Sequence, residues 1–206
     1  MCGIALHHSS SGWATPLDLE LIRHRGPDSR GEWSSPGGHY WLGNTRLAIV
    51  DLSPTGSQPM MDPANGNVVV TNGEIYNHLA VREKLGPNVD WRGTSDTETL
   101  LVGYARWGRA VVDHLKGMFA FAIYDAVRKE LFLARDRLGQ KPLYYVVEPD
   151  GVRAASEVRM LVDSTEEISP AGVSAYLQWG SCPENEFIYS RIQTLPAGHA
   201  MIIPAE

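Results

Sequence analysis

Apolar residues in this chain come in short runs separated by glycine, proline and small polar residues. That punctuation predicts many short strands with a few helices between them. Residues 2–7 read as a first strand, broken by Ser9-Ser10-Ser11-Gly12, and residues 17–24 as a short amphipathic helix ended by Gly26-Pro27. Residues 40–42, 47–50 and 68–71 read as further strands, the last delivering Asn72-Gly73-Glu74 into a turn. Ser95 with Glu98 three positions later forms a capping-box pattern ahead of an apolar-periodic stretch, so a helix is expected from there to about Trp107. A second helix over residues 110–115 stops at Gly117. Residues 118–124 and 130–134 flank the turn 125–129 as a hairpin, and residues 143–147 and 152–155 flank Pro149-Asp150-Gly151 as another. Hairpins at this density imply antiparallel sheets with helices on their outer faces, an α+β layered architecture.

Composition narrows the class of protein. At 206 residues the chain can bury a substantial core as one large domain or two small ones. Charged residues make up 20% and hydrophobic residues 43%, which excludes a disordered or membrane-embedded composition. A net charge of −6, with the 18 basic residues scattered, argues against a nucleic-acid surface. Two cysteines 180 positions apart make neither a disulfide framework nor a CxxC metal pattern. They suit a reducing compartment, and with no signal-peptide pattern or long apolar run the expected location is cytoplasmic, with no membrane contact.

The most informative residues stand at the start. Removal of Met1 from Met1-Cys2-Gly3-Ile4 would leave a cysteine whose thiol and free α-amine share one residue. The thiol's reference pKa is about 8.5 and the amine's about 7.7 to 8.0, so the amine can accept the thiol proton with little penalty. A lone Met-Cys start is also what an ordinary buried thiol looks like, and the rest of the chain has to separate the two readings.

Eight segments, taken in order, resemble the glutaminase domain of glutamine-hydrolysing asparagine synthetases. They are Cys2-Gly3-Ile4, His24-Arg25-Gly26-Pro27-Asp28, Arg46-Leu47-Ala48-Ile49-Val50-Asp51, Asn72-Gly73-Glu74-Ile75-Tyr76-Asn77, Ser95-Asp96-Thr97-Glu98, Gly117-Met118-Phe119-Ala120-Phe121-Ala122, Arg135-Asp136-Arg137-Leu138-Gly139-Gln140-Lys141-Pro142-Leu143-Tyr144-Tyr145 and Leu195-Pro196-Ala197-Gly198-His199. Each is weak alone; the ordered set spans almost the whole chain. The resemblance implies a class II glutamine amidotransferase domain over residues 1–206, with the four-layer αββα N-terminal-nucleophile hydrolase fold of two antiparallel sheets between helix layers.

Amide hydrolysis requires a nucleophile, a proton acceptor, donors for the developing oxyanion and grips on the zwitterionic end of glutamine. The resemblance assigns Cys2 as nucleophile and Asn72 with the Gly73 N–H as oxyanion donors, although Asn-Gly is also a common turn dipeptide. It places Arg46 on the substrate α-carboxylate, a role that a planar fork of donors suits, and Asp96 with Glu74 on the α-ammonium. An arginine beside a strand is more often a surface residue, and a carboxylate in a first helical turn is already favoured by the helix dipole. The Arg25-to-Asp28 segment looks like a loop closing against the site, although its glycine and proline also suffice to stop a helix.

Other features carry less. The seven histidines show no metal-ligand spacing and no metal is implied, Cys182 has no base suggested beside it, and the six tryptophans read as packing. Neither a G-x-x-x-x-G-K-[ST] loop nor a Ser-Gly-Gly-x-Asp-Ser loop is present. No cofactor is therefore expected in this domain, ATP and Mg belonging to a synthetase domain or a separate synthetase subunit as partner. Expected partners are thus L-glutamine, that synthetase and a possible second copy in a homodimer; the ammonia acceptor, aspartate or another carboxylate, stays open. Two other readings remain: a catalytically silent glutamine-binding or docking module in which Met1 stays attached, and a different N-terminal-nucleophile amidohydrolase. Arg46 with Asp96 argues against the latter, because that pair fits the two charges of an amino acid.

Overall fold

The computed structural model describes residues 1–164, 166–183 and 187–204. Its strands are β1 (Gly3–Ser9), β2 (Ser29–Ser34), β3 (Tyr40–Arg46), β4 (Met60–Met61), β5 (Val68–Ile75), β6 (Gly117–Asp125), β7 (Glu130–Arg135), β8 (Tyr144–Glu148), β9 (Gly151–Ala155), β10 (Gln193–Thr194) and β11 (Ala200–Ile203). The α-helices are α1 (His78–Leu85), α2 (Asp96–Trp107), α3 (Val111–His114) and α4 (Pro170–Trp179). The strands form two antiparallel sheets, ordered β10-β8-β9-β1-β3-β2 and β11-β7-β6-β5-β4.

Alternation along the strands builds the layers. On β6, Ala120, Ala122 and Tyr124 enter the core between the sheets, with Ile4, Leu6, Leu42, Val68, Val70 and Leu133. The intervening Phe119, Phe121 and Ile123 face the opposite way and pack with Leu100, Leu101 and Tyr104 of α2 and Val111 of α3. Small residues inside let the sheets approach, and large residues outside give the helices a surface to cover. On the far face of the first sheet, Ala5, Trp41, Val146 and Ala155 are covered by Leu19, Ile22 and Met160. That outer layer comes from the 3-10 segments Leu19–Arg25 and Val158–Met160 rather than from long α-helices.

Several elements expected from sequence are present: the first strand, the helix after Ser95 and both hairpins. The 125–129 turn is held by Asp125 Oδ1, which accepts N–H bonds from Val127 and Arg128 at 3.0 and 2.9 Å. Others differ. The expected helix over residues 17–24 is the 3-10 segment Leu19–Arg25, started by Asp18 accepting from the Glu20 N–H. The expected strand over 47–50 is loop, with Ile49 63% exposed and unpaired with any strand. Asn72-Gly73-Glu74 does not turn but continues β5 to Ile75, in register with Ala120, Phe119 and Met118. Gly73 is required there by contact: its φ is 154°, and a Cβ would lie 2.1 Å from the Met118 carbonyl oxygen.

The capping box is half realised. Ser95 Oγ accepts from the Thr97 N–H at 3.1 Å, while Glu98 turns away and accepts from the Arg92 and Gly93 N–H groups at 2.8 and 3.1 Å. Arg82 of α1 joins Glu98 at 3.5 Å and donates to the Thr99 hydroxyl, tying α1 to α2. No helix among the described residues is long and apolar enough to cross a membrane.

Phe121 is fully buried where the second sheet meets α2. Phe121→Ala is expected to destabilise the fold by about 3–5 kcal/mol in urea unfolding monitored by circular dichroism. A loss under about 1 kcal/mol would mean that the helix layer does not pack on this sheet as described.

Candidate active site

The start of β1 is carried by an interior strand. Because β1 runs antiparallel to β3 with Gly3 opposite Thr45, Cys2 comes to the same sheet end as Arg46. From the second sheet, the last residues of β5 reach that end, and Asp96 at the start of α2 binds them by accepting the Ile75 N–H at 2.8 Å. One cleft results, lined by Cys2, Arg46, Asn72, Gly73, Glu74 and Asp96 together. All six residues singled out from the sequence therefore meet, although they span 95 positions of chain.

The Cys2 thiol rests on the backbone of Leu47, accepting its N–H at 3.3 Å and lying 3.6 Å from its carbonyl oxygen. With Met1 attached, the Cys2 nitrogen is an amide and has no basic lone pair. Asn72 is 0% exposed, and neither its Nδ2 nor its Oδ1 has a hydrogen-bond partner. Leaving such a group unpaired costs about 1–3 kcal/mol, so this amide is poised for a polar guest in the cleft. Asp96 is buried, and burial pushes its carboxyl above the usual range, with the Ile75 N–H and then His78 opposing. A cation entering the cleft would favour its ionised form. The carboxylate of Glu74 makes no hydrogen bond or ion pair among the described residues.

Arg46 is held rather than free. Its guanidinium donates to the Ser53 carbonyl at 3.1 Å and to the Asp51 carbonyl, leaving other N–H groups for the cleft. Gly56 makes room for it, since a Cβ there would lie 2.3 Å from Arg46 Nη2. Asp51, not singled out from sequence, organises this loop. Its carboxylate accepts from the Ser53 N–H and hydroxyl at 2.8 and 2.6 Å, from Thr55 at 3.0 Å and from the Thr94 N–H at 3.0 Å. The Ser53 hydroxyl bond is the largest cause holding the Asp51 carboxyl well below the usual range.

Two more residues of the cleft, Gln58 and Lys141, were missed, whereas the Arg25-to-Asp28 segment was read from sequence as closing against it. Gln58 joins β5 to α2 by accepting the Thr71 N–H at 2.7 Å and donating to Thr97 at 3.2 Å. Arg25 Nε donates to the Cys2 carbonyl at 3.1 Å and Asp28 accepts the Ala48 N–H at 2.8 Å, so the Arg25-to-Asp28 segment both ends the 3-10 helix and closes on the site. Lys141 enters the cleft from the loop after β7. No spacing rule could have found Gln58 or Lys141, because each acts through a partner distant in sequence. Among the described residues no group of three or more His, Cys, Asp or Glu is placed to hold a metal ion.

Two stacked antiparallel sheets with a near-terminal cysteine at their shared end define the N-terminal-nucleophile hydrolase fold. Solved structures agree: glutamine phosphoribosylpyrophosphate amidotransferase from B. subtilis superposes with a TM-score of 0.69 at 20% identity, covering 99% of this chain and 47% of its own. The family model for the glutamine amidotransferase domain matches residues 1–206, and the chain belongs to that family. It is 38% identical over 172 residues to asparagine synthetase B [glutamine-hydrolyzing] of Escherichia coli, covering 83% of this chain and 30% of the relative. It is 43% identical over 141 residues to Amidase chry2 of Gibberella zeae, covering 68% and 21% respectively. The chain thus spans less than a third of the length of either relative.

The Asp51 network predicts a pH signature. A carboxyl whose folded pKa lies below its unfolded value near 3.9 stabilises the fold above that value, and the contribution fades as pH falls through it. Asp51→Asn is therefore expected to melt well below the parent at pH 7, with the gap narrowing below about pH 4. Thermal melts across that range test it, and a gap independent of pH would contradict the assignment.

Proposed function

We propose that this domain hydrolyses glutamine to glutamate and ammonia with Cys2 as nucleophile, once Met1 has been removed. The observation that carries the reading is the orphaned, fully buried amide of Asn72 in the same cleft as Cys2, Arg46 and Asp96. In this reading Arg46 holds the α-carboxylate of glutamine, and Asp96 with Glu74 holds the α-ammonium. That grip presents the δ-carboxamide to Cys2 Sγ.

The thiol proton passes to the Cys2 α-amine as sulfur bonds the amide carbon. Asn72 Nδ2 and the Gly73 N–H donate to the resulting oxyanion. The amine returns the proton to the departing nitrogen, ammonia leaves, and a γ-glutamyl thioester remains. Water then attacks the thioester, glutamate departs, and the thiol regains its proton. Family membership and the asparagine synthetase relatives support delivery of that ammonia to an ATP- and Mg-using amide-forming domain or partner, with aspartate or another carboxylate as acceptor.

A second reading rests on Met1 itself. Its Sδ accepts from Lys141 Nζ at 2.8 Å, and a chain that keeps this residue has no free amine on Cys2 and would bind glutamine without hydrolysing it. Intact mass decides between the two: loss of one methionine residue is expected of the active protein.

Steady-state kinetics on the processed protein separate the roles. Cys2→Ala is expected to abolish ammonia release, and Cys2→Ser to leave a trace. Asn72→Ala should lower kcat by roughly 10²- to 10³-fold. Arg46→Ala and Asp96→Ala should act on glutamine capture, each weakening it by about 2–4 kcal/mol. Ammonia release by Cys2→Ala near the parent rate, or an Asn72→Ala effect confined to KM, would contradict the assignments.

A further inference from the structure

We propose that Lys141 acts as a positioning residue that keeps the α-amine of Cys2 unprotonated, by standing a cation beside it after Met1 has gone. The inference rests on the hydrolytic reading above and assigns a role to a residue outside the proposed set.

The placement is specific. Lys141 is 3% exposed, and its loop is fixed at both backbone groups: the N–H donates to Asp136 Oδ2 at 3.0 Å and the carbonyl accepts from Arg135 Nε at 2.7 Å. Its Nζ contacts Met1 Sδ, so the head group reaches the residue whose departure creates the amine. The thiol lies against the Leu47 N–H and also faces Lys141, so the cation stands near Cys2 as a whole.

The charged groups facing Lys141 are Arg25, Asp136, Glu74 and the Cys2 thiol. Asp136 is committed to four backbone N–H groups, those of Phe119, Leu138, Gln140 and Lys141. Arg25, on the carbonyl of Cys2, is paired with Glu157 at 3.1 Å. Burial and then Arg25 push the Lys141 ammonium down, while Asp136, Cys2 and Glu74 draw it back toward the charged form.

The chemistry needs such a neighbour. An α-amine titrating near 7.7 to 8.0 is largely protonated at neutral pH and then cannot accept a thiol proton. A like charge nearby disfavours the protonated form, which enlarges the fraction able to act as base. Arg46 and Asp96 cannot supply this effect, being assigned to the distal end of the substrate.

The test is the acid limb of kcat/KM for glutamine, which reports the base of the free enzyme, in parent, Lys141→Met and Lys141→Arg proteins shown by intact mass to lack Met1. Lys141→Met is expected to move the limb up by about one pH unit, roughly a tenfold loss on its acidic side, while the alkaline plateau persists. Lys141→Arg should return the limb to its parental position. Should Lys141→Met fail to fold, Lys141→Gln carries the same expectation.

Competitive acylation of the α-amine against pH, read by mass spectrometry, follows the same shift without turnover. A shift in acylation with no parental glutaminase activity would refute the hydrolytic reading and leave the Lys141 assignment standing. Unshifted limbs and unshifted acylation in Lys141→Met would overturn it. So would a folded, processed Lys141→Arg protein inactive at every pH, which would make Lys141 itself the base.

Discussion

In the proposed mechanism the Cys2 thiol is only as well placed as the strand that follows it. Chain termini usually fray, and a thiol that must attack at bonding distance cannot tolerate that. Here β1 is an interior strand, paired on one side with β3 from Gly3 to His8 and on the other with β9 from Ala5 to Ser9. Its side chains are buried along their whole length. Cys2 is thereby carried by an interior strand, and the register that sets Gly3 opposite Thr45 also sets it near Arg46. The other site residues depend on this anchoring, because each is presented toward a point that β1 defines.

Around that anchor the site is assembled from polar groups that hold one another and from groups left over. Asp51 spends its carboxylate on Ser53, Thr55 and Thr94. The resulting loop carbonyls hold Arg46. Gln58 fixes β5 to the start of α2 in the same manner. Asn72 is not satisfied by the protein, and the half-buried Glu74 faces Lys141. Buried polar groups without partners are rare in folded proteins, and Asn72 in this cleft marks where a polar guest belongs. The rigid network and the unsatisfied Asn72 amide together suit the small zwitterion of the proposed reaction.

What could be read from the sequence was what local chemistry writes. Alternation gave β1, β5 and the β6–β7 hairpin, and the cap at Ser95 gave the start of α2. The apolar run 47–50 misled because periodicity does not say whether a partner strand exists; Ile49 and Leu52 are exposed on the loop that holds Arg46. The edge strand β2 is largely solvent-facing, and α1 buries only Val81, so neither shows an apolar stripe to find. Asn-Gly looked like a turn because its composition is that of a turn, but β6 packs so closely on Gly73 that only glycine fits within the strand. The six residues proposed for the site, which meet in one cleft, were singled out through their ordered resemblance to a family. Asp51, Gln58 and Lys141 were not, since their importance lies in long-range hydrogen bonds and placement.

The central claim is that the unacylated Cys2 is the reactive group of this cleft, and an affinity label tests it most directly. A glutamine analogue carrying a diazoketone in place of the carboxamide is presented to a mixture of chains with and without Met1, and the adduct is located by peptide mass spectrometry. The account predicts modification of Cys2 in chains that begin at residue 2, protection by excess glutamine, and none on Met1-bearing chains or at Cys182. Equal labelling of Met1-bearing chains, or labelling at Cys182, would contradict it.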